Sequence, residues 1–268
     1  MLLMRKGRIL AIVLTFVTAS VASTADVSSI AWNRANLPIL RSFHKDSIQR
    51  FVNELRGDDP LQAEIGGFAW YDLANDGSYC LVATEDLSGR SFFDYLAIYT
   101  QSGVGKVTLR QWIPANDIGT NLEKVVRDLN KDGRYELILP KLLISYSHGE
   151  TFNWPSVYKL ENQTYVEASR EFANYYDKEV LPQLEKNIDE TRTGGAGDLD
   201  RQMRPIYMME RDKILRVLGR NPTAGLEQAY EWMKTDDPHL LQNAGATFQD
   251  IGGHDSELRI TIDALRSR

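Results

Sequence analysis

Hydrophobic positions along this chain follow two different rhythms. Between about residues 66 and 170 they come in short runs with β-branched and aromatic alternation. These are Phe68–Tyr71, Cys80–Ala83, Tyr95–Tyr99, Lys106–Arg110, Val125–Val126, Leu137–Leu139, Ser156–Leu160 and Thr164–Glu167. Polar or Gly-containing turns separate them, such as Glu161-Asn162-Gln163. Runs of this length and period predict strands, and the pairs around short turns predict hairpins. After about residue 170 the apolar residues recur three and four apart. Val180, Leu181, Leu184 and Ile188 form one stripe; Met203, Ile206, Tyr207, Ile214, Leu215, Val217 and Leu218 form a second. Leu226, Ala229, Tyr230 and Met233 form a third, Leu240, Leu241, Ala244 and Phe248 a fourth, and Leu258 to Leu265 a last segment. That spacing predicts helices. Their breaks are Thr193–Gly197 and Gly219-Arg220-Asn221-Pro222, with Asp236 or Asp237 and Asp255 or Ser256 as caps. Short helices joined by tight turns predict stacked antiparallel pairs. Upstream, Ile48, Phe51, Val52 and Leu55 predict a short amphipathic helix over 47–55, and Asp58-Asp59-Pro60 a turn.

The β region repeats itself. Asp72-Leu-Ala-Asn-Asp-Gly-Ser-Tyr79 matches Asp128-Leu-Asn-Lys-Asp-Gly-Arg-Tyr135, and each copy follows one apolar run and leads into another. Four short strands per copy suit a propeller blade. The second copy carries candidate metal chemistry. Asp128, Asn130, Asp132 and Glu136 put oxygen donors at positions 1, 3, 5 and 9, and the Arg134 carbonyl can supply position 7. Gly133 stands at position 6, where a sharp turn makes a Cβ costly. Oxygen donors at alternating positions suit Ca²⁺. Position 12 is Leu139, so this is not a helix–loop–helix site, and weak binding in the regime of about 10⁻⁴–10⁻³ M is expected. The alternative is a metal-free turn in which Asp and Asn side chains bond the backbone. In the first copy positions 3 and 9 are Ala74 and Cys80, so that loop should keep the turn and lose the metal.

The two Asp-Leu-x-x-Asp-Gly-x-Tyr copies and their trailing hairpins resemble FG-GAP or VCBS repeats, the blades of integrin-α-like β-propellers. The resemblance covers about residues 66–168. It implies that Ca²⁺ binds between two strands, with Asp128, Asn130, Asp132, the Arg134 main chain and Glu136 as ligands. It also implies a mostly non-catalytic role in adhesion and recognition. Such a propeller closes with around seven blades, and this chain has room for two; a partial propeller, or a curved sheet closed off by helices, is the expectation. The helical tail resembles HEAT-type pairs.

The start of the chain differs from the rest. Arg5, Lys6 and Arg8 precede the apolar run Ile9–Val17 and the small, polar stretch Thr18–Ala25. This is the three-part pattern of a secretory signal, with Ala22 and Ala25 as cleavage candidates. The apolar run is shorter than the roughly 20 residues of a span; an uncleaved anchor is the alternative. The expected organisation is a signal over 1–25, an N-terminal segment with a short helix over 26–65, β repeats over 66–170 (66–112 and 122–168), and a helical region over 171–268. The fold class is α+β.

Charge narrows the partners. Residues 1–25 hold three of the 31 basic residues and none of the 37 acidic ones, so net charge falls from −6 to −9 on cleavage. An acidic surface repels phosphate backbones, which argues against nucleic acid. Cys80 is the only cysteine, so the chain forms no internal disulfide, and its apolar neighbours favour a buried small hydrophobe over a reactive thiol. Asn162-Gln163-Thr164 fits a glycosylation sequon but reads first as a hairpin turn.

The function these residues imply is an exported, secreted or periplasmic, non-catalytic module. Structural Ca²⁺ stiffens a blade that presents loops and aromatics (Trp112, Tyr146, Trp154, Tyr158) to a protein or glycan. One alternative is a glycan hydrolase. His44, His148, His239 and His254 show no ligand or triad spacing, and Glu85-Asp86 and Asp236-Asp237 read as solvated turns. The other is a scaffold that docks a protein along Ile206, Met209 and Leu226, residues that are core by default.

Overall fold

A computed structural model describes residues 26–57, 63–87, 89, 93–145, 151–191 and 198–220. The leader expected over 1–25, the turn expected at Asp58–Pro60, the joint expected at Thr193–Gly197 and the helical stripes expected beyond residue 220 lie outside them. The N-terminal segment holds the 3₁₀ turns Val27–Ser29 and Arg34–Asn36, then α1 (Leu37–Leu40) and α2 (Lys45–Arg56). The structure bears out α2 and lengthens it. Ile48, Phe51 and Val52 form its buried face, and Gly57 ends it at φ +63°.

Two four-stranded antiparallel sheets follow, each a meander in chain order. The first comprises β1 (Glu64–Tyr71), β2 (Cys80–Asp86), β3 (Tyr95–Gly103) and β4 (Lys106–Pro114). A single turn, α3 (Leu122–Val125), leads to β5 (Val126–Arg127), β6 (Glu136–Ser145), β7 (Thr151–Glu161) and β8 (Thr164–Glu167) of the second. The expected strands are all present, and several run well past their apolar runs. Pro140 pairs with Pro155 in the middle of β6 and β7, where a proline normally argues against a central strand. The reason lies in the neighbours. β5 pairs only with Glu136 and Leu137, and β8 only with Tyr158 to Glu161. At the prolines the sheet has narrowed to two strands, so neither missing N–H removes a ladder bond. Asn116 N donates to Pro140 O (2.9 Å), and Tyr176 Oη to Pro155 O (2.7 Å).

The strand period sorts side chains into three packed interfaces. Val82, Leu96, Ile98 and Ile113 face Val126, Leu137, Leu139, Tyr158 and Tyr165, so the two sheets share a core. Leu81, Ala83, Ala97 and Tyr99, on the other face of the first sheet, pack with Trp70 against Trp32, Leu40, Ile48, Phe51 and Val52. Leu143, Trp154 and Val157, on the other face of the second, pack against Phe172, Tyr176, Leu184, Ile206, Met209 and Ile214. Each fully buried aliphatic side chain contributes about 1.5–3 kcal/mol. The layers are therefore helix, sheet, sheet, helix.

The C-terminal helical layer begins with the 3₁₀ turn Ser169–Phe172 and α4 (Ala173–Tyr175). A π turn over Tyr176–Val180 leads directly into α5 (Leu181–Glu190). Pro182 cannot donate to the carbonyl four residues back, and the helix widens just ahead of it. α6 (Asp198–Val217) runs back along α5, with Ile188 on Met208 and Arg211 Nη1 3.2 Å from Glu185 Oε1. Among the described residues, no helix is long and apolar enough to cross a membrane.

The first strand carries the closest backbone approach. A Cβ on Gly67 would lie 2.2 Å from the carbonyl oxygen of Thr120. Register slips between Ile65 and Phe68, and Gly67 N donates to Thr84 Oγ1 (2.8 Å) instead. This bulge lets the segment before α3 press on β1.

Candidate metal site

The bend between β5 and β6 is Asp128–Tyr135, and its twin between β1 and β2 is Asp72–Tyr79. The two share one hydrogen-bond scheme. Asp128 Oδ1 accepts from Asp132 N (3.1 Å) and Oδ2 from Gly133 N (3.0 Å). Asp72 Oδ1 accepts from Asp76 N and Oδ2 from Gly77 N, both at 2.9 Å. Asp132 Oδ1 then accepts from Arg134 N (2.8 Å), as Asp76 Oδ1 does from Ser78 N (2.8 Å). Gly133 and Gly77 have φ of +84° and +85°. These shared bonds form the turn itself, since the first loop makes them without donors at positions 3 and 9.

What differs is the filling. Asn130 Oδ1 accepts from Asp132 N (3.0 Å), and its Nδ2 donates to Asp132 Oδ2 (3.1 Å). Glu136 is 4% exposed and turns under the loop, its Oε2 accepting from Leu129 N (2.8 Å). Burial raises its pKa above the usual carboxylate value; the Leu129 N–H opposes this, and the charges of Asp132 and Asp128 push it up further. The charges of two carboxylates thus act on the third around one bend. Among the described residues, no Lys or Arg forms an ion pair with any of them. Arg134 is exposed and could offer only its main chain.

Among the described residues, no three His, Cys, Asp or Glu side chains stand together as a ready-made metal-holding group. Here the oxygens of Asp128 and Asp132 rest on N–H groups of their own loop. The donor set itself fits a hard cation: three carboxylates, a carboxamide and a main-chain carbonyl, all oxygen.

The two bends also stack. Tyr135 N donates to Leu73 O (3.2 Å), and a Cβ on Gly133 would lie 2.4 Å from Asn75 Nδ2. One step earlier, Tyr79 N donates to Trp32 O (2.9 Å), and Asn33 bridges to Ser78. The N-terminal segment thus takes the place that the first bend takes for the second. At the opposite edge, Gln111 exchanges two bonds with the Tyr165 main chain (2.9 and 2.7 Å).

Several residues lie elsewhere than the sequence suggested. Glu85 and Asp86 are not solvated: they end β2 at 0% and 1% exposure. Glu85 Oε2 meets Arg56 Nη2 at 2.5 Å and Oε1 meets Tyr99 Oη at 2.6 Å, so its charge is carried into the core by a partner from α2. Nothing in the dipeptide announces that partner, which stands 29 positions away in the chain. Trp154 and Tyr158 are buried at 7%, and Ile206 and Met209 belong to the core. Trp112 is half-buried, stacked on Tyr95 (4.4 Å) with the Arg56 guanidinium 4.7 Å from its ring centre. His44 stands at the N-cap of α2. Tyr146, His148, Leu226, Asp236, Asp237, His239 and His254 lie outside the described residues. Cys80 is buried at 6%, and burial pushes its thiol up to about 11, so it stays protonated.

Comparison with protein-family models, with curated proteins and with solved structures finds no match for the chain.

Proposed function

We propose that this chain is an exported, secreted or periplasmic, non-catalytic calcium-binding module of the FG-GAP/VCBS type. Ca²⁺ held by Asp128, Asn130, Asp132, the Arg134 carbonyl and Glu136 stabilises a blade-like sheet used in protein or glycan recognition. One observation carries the reading: three carboxylates around one bend, one of them buried, with no cationic side chain paired to them among the described residues. A divalent ion would relieve that repulsion and tie β5 to β6. The stacked bends and the two meanders support the blade reading, and the pairing of α5 with α6 supports the HEAT-like one.

Calcium should raise the melting temperature. With a Kd of about 0.3 mM, about 10 mM Ca²⁺ adds roughly 2 kcal/mol. For a protein of this size that is a rise of roughly 4–8 °C. Asp128→Ala should abolish the response, while Asp72→Ala should lower stability and keep it. An identical melt in calcium and in chelator overturns the reading and leaves the bend as a turn held by its own side chains.

A further inference from the structure

Between the outer face of the second sheet and α6 lies a cleft of about 640 Å³. Its lining draws on five separate elements. Lys141 comes from β6, Trp154 and Ser156 from β7, Glu167 from β8, Arg170 from the 3₁₀ turn after it, and Lys213 from α6. Three cationic side chains and one carboxylate thus line it, in a chain whose net charge is −6.

That carboxylate is already engaged. Glu167 Oε1 accepts from Ser169 N (3.0 Å) and from Ser156 Oγ (3.4 Å), which turns it onto the sheet edge. The lysine ammonium groups rest over aromatic rings: Lys141 Nζ is 5.2 Å from the Tyr158 ring centre and Lys213 Nζ 5.4 Å from that of Trp154. Among the described residues, neither Lys141 nor Arg170 forms an ion pair. The Trp154 indole, itself held in the core, fixes the floor.

We propose that this cleft binds a small oxyanion ligand, a carboxylate or phosphate on a compact body. Arg170 offers a fork of N–H donors suited to two oxygens at once, and Lys141 and Lys213 act as point charges beside it. The cleft is built from the far half of β6, away from the Asp128 bend, so binding here does not depend on calcium.

The test uses the full chain and two probes, citrate for carboxylate and inorganic pyrophosphate for phosphate, titrated calorimetrically at low salt with chelator present. At least one should bind with a Kd below about 1 mM, and binding should weaken steeply with salt. Lys141→Gln with Arg170→Gln should weaken it at least about tenfold, the loss expected for charge-assisted bonds. Arg170→Lys should lose less, and the exposed Lys124→Gln should change nothing. Arg170 is exposed and Lys141 half-buried, so glutamine is tolerated at both; a thermal melt verifies this, and Arg170→Gln alone decides if the pair does not fold. Citrate binding without pyrophosphate identifies a carboxylate site, and the reverse a phosphate site. No heat from either probe, or equal affinity in the variants, overturns the proposal. Because chelator is present throughout, that failure is separate from failure of the calcium reading.

Discussion

Arg56→Ala should cost about 3–5 kcal/mol, the loss expected when one partner of a buried ion pair is removed. The geometry explains the size. Glu85 has no exposed side-chain surface and Arg56 only 10%. The two Glu85 oxygens are divided between Arg56 Nη2 and Tyr99 Oη, so removing the guanidinium leaves an anion with one neutral donor inside the core. Burial already raises the Glu85 pKa, with Tyr99 and Arg56 opposing it. Without Arg56 it must rise further. A carboxyl whose folded pKa is raised contributes stability below its unfolded pKa and loses it as pH climbs through the folded value. The penalty should therefore be full near about pH 8 and shrink toward about pH 5. Denaturant unfolding at both values measures it, and the accompanying fall in melting temperature should be roughly 10 °C at the higher pH. Arg56→Met with Glu85→Gln should recover to within about 1 kcal/mol of the parent, because a buried pair exchanged for neutral groups of similar volume is close to neutral. A loss under about 1 kcal/mol for Arg56→Ala, or one equal at both pH values, refutes this account of the pair.

Two further outcomes follow, one from buried carboxyls and one from a close backbone approach. Burial lifts Glu210 to about 7 and Asp212 to about 6, the latter against the pull of Arg216 and Arg211. Both raised values mean stability present below about pH 4 and lost as pH rises through about 6–7, so Asp212→Asn with Glu210→Gln should flatten that part of the melting-temperature profile; an unchanged slope would show that neither carboxyl is desolvated as described. Gly67→Ala places a methyl group against the Thr120 carbonyl oxygen at 2.2 Å, and should destabilise by about 1–3 kcal/mol in chemical denaturation, whereas Gly105→Ala, whose Cβ meets nothing, should pay only for its φ of +76°.

Local pattern made the strands, α2 and both bends legible, because each rests on neighbours in sequence. The Asp-to-N–H bonds of the bends span four or five residues, which is why a repeated octapeptide could announce them. Glu136 was legible as a ninth-position donor, and its burial follows from leading directly into β6. Strand lengths were less legible. Pro140 and Pro155 hide the continuity of β6 and β7, and only the shortness of β5 and β8 makes them admissible. Glu85-Asp86 misled for a related reason: two adjacent acids read as solvent-facing until a distant arginine is known to cover one of them. The basic cleft left no trace at all, since its lysines and arginine come from separate elements and have no common spacing.

The layering explains how the two described sheets are covered on both faces. A four-stranded sheet with apolar side chains on both faces must cover both. In a closed circle each sheet covers its neighbours, and none is terminal. Here the inner faces cover each other through Val82, Leu96 and Ile98 against Leu137, Leu139 and Tyr158. The outer face of the first sheet is closed by Trp32, Phe51 and Val52 from the N-terminal segment. That of the second is closed by Tyr176, Leu184, Met209 and Ile214 from the C-terminal helices. The two caps differ in kind. The N-terminal one also imitates a bend, since Trp32 O receives Tyr79 N as Leu73 O receives Tyr135 N. The C-terminal one leaves a gap against the strands, and beside Leu142, Leu143, Trp154 and Val217 its lining carries Lys141, Arg170 and Lys213. A purely structural cap would gain more from closing that gap with hydrocarbon, as the rest of the same helical layer does. That contrast, within one layer of one molecule, is the physical reason to look for a ligand there.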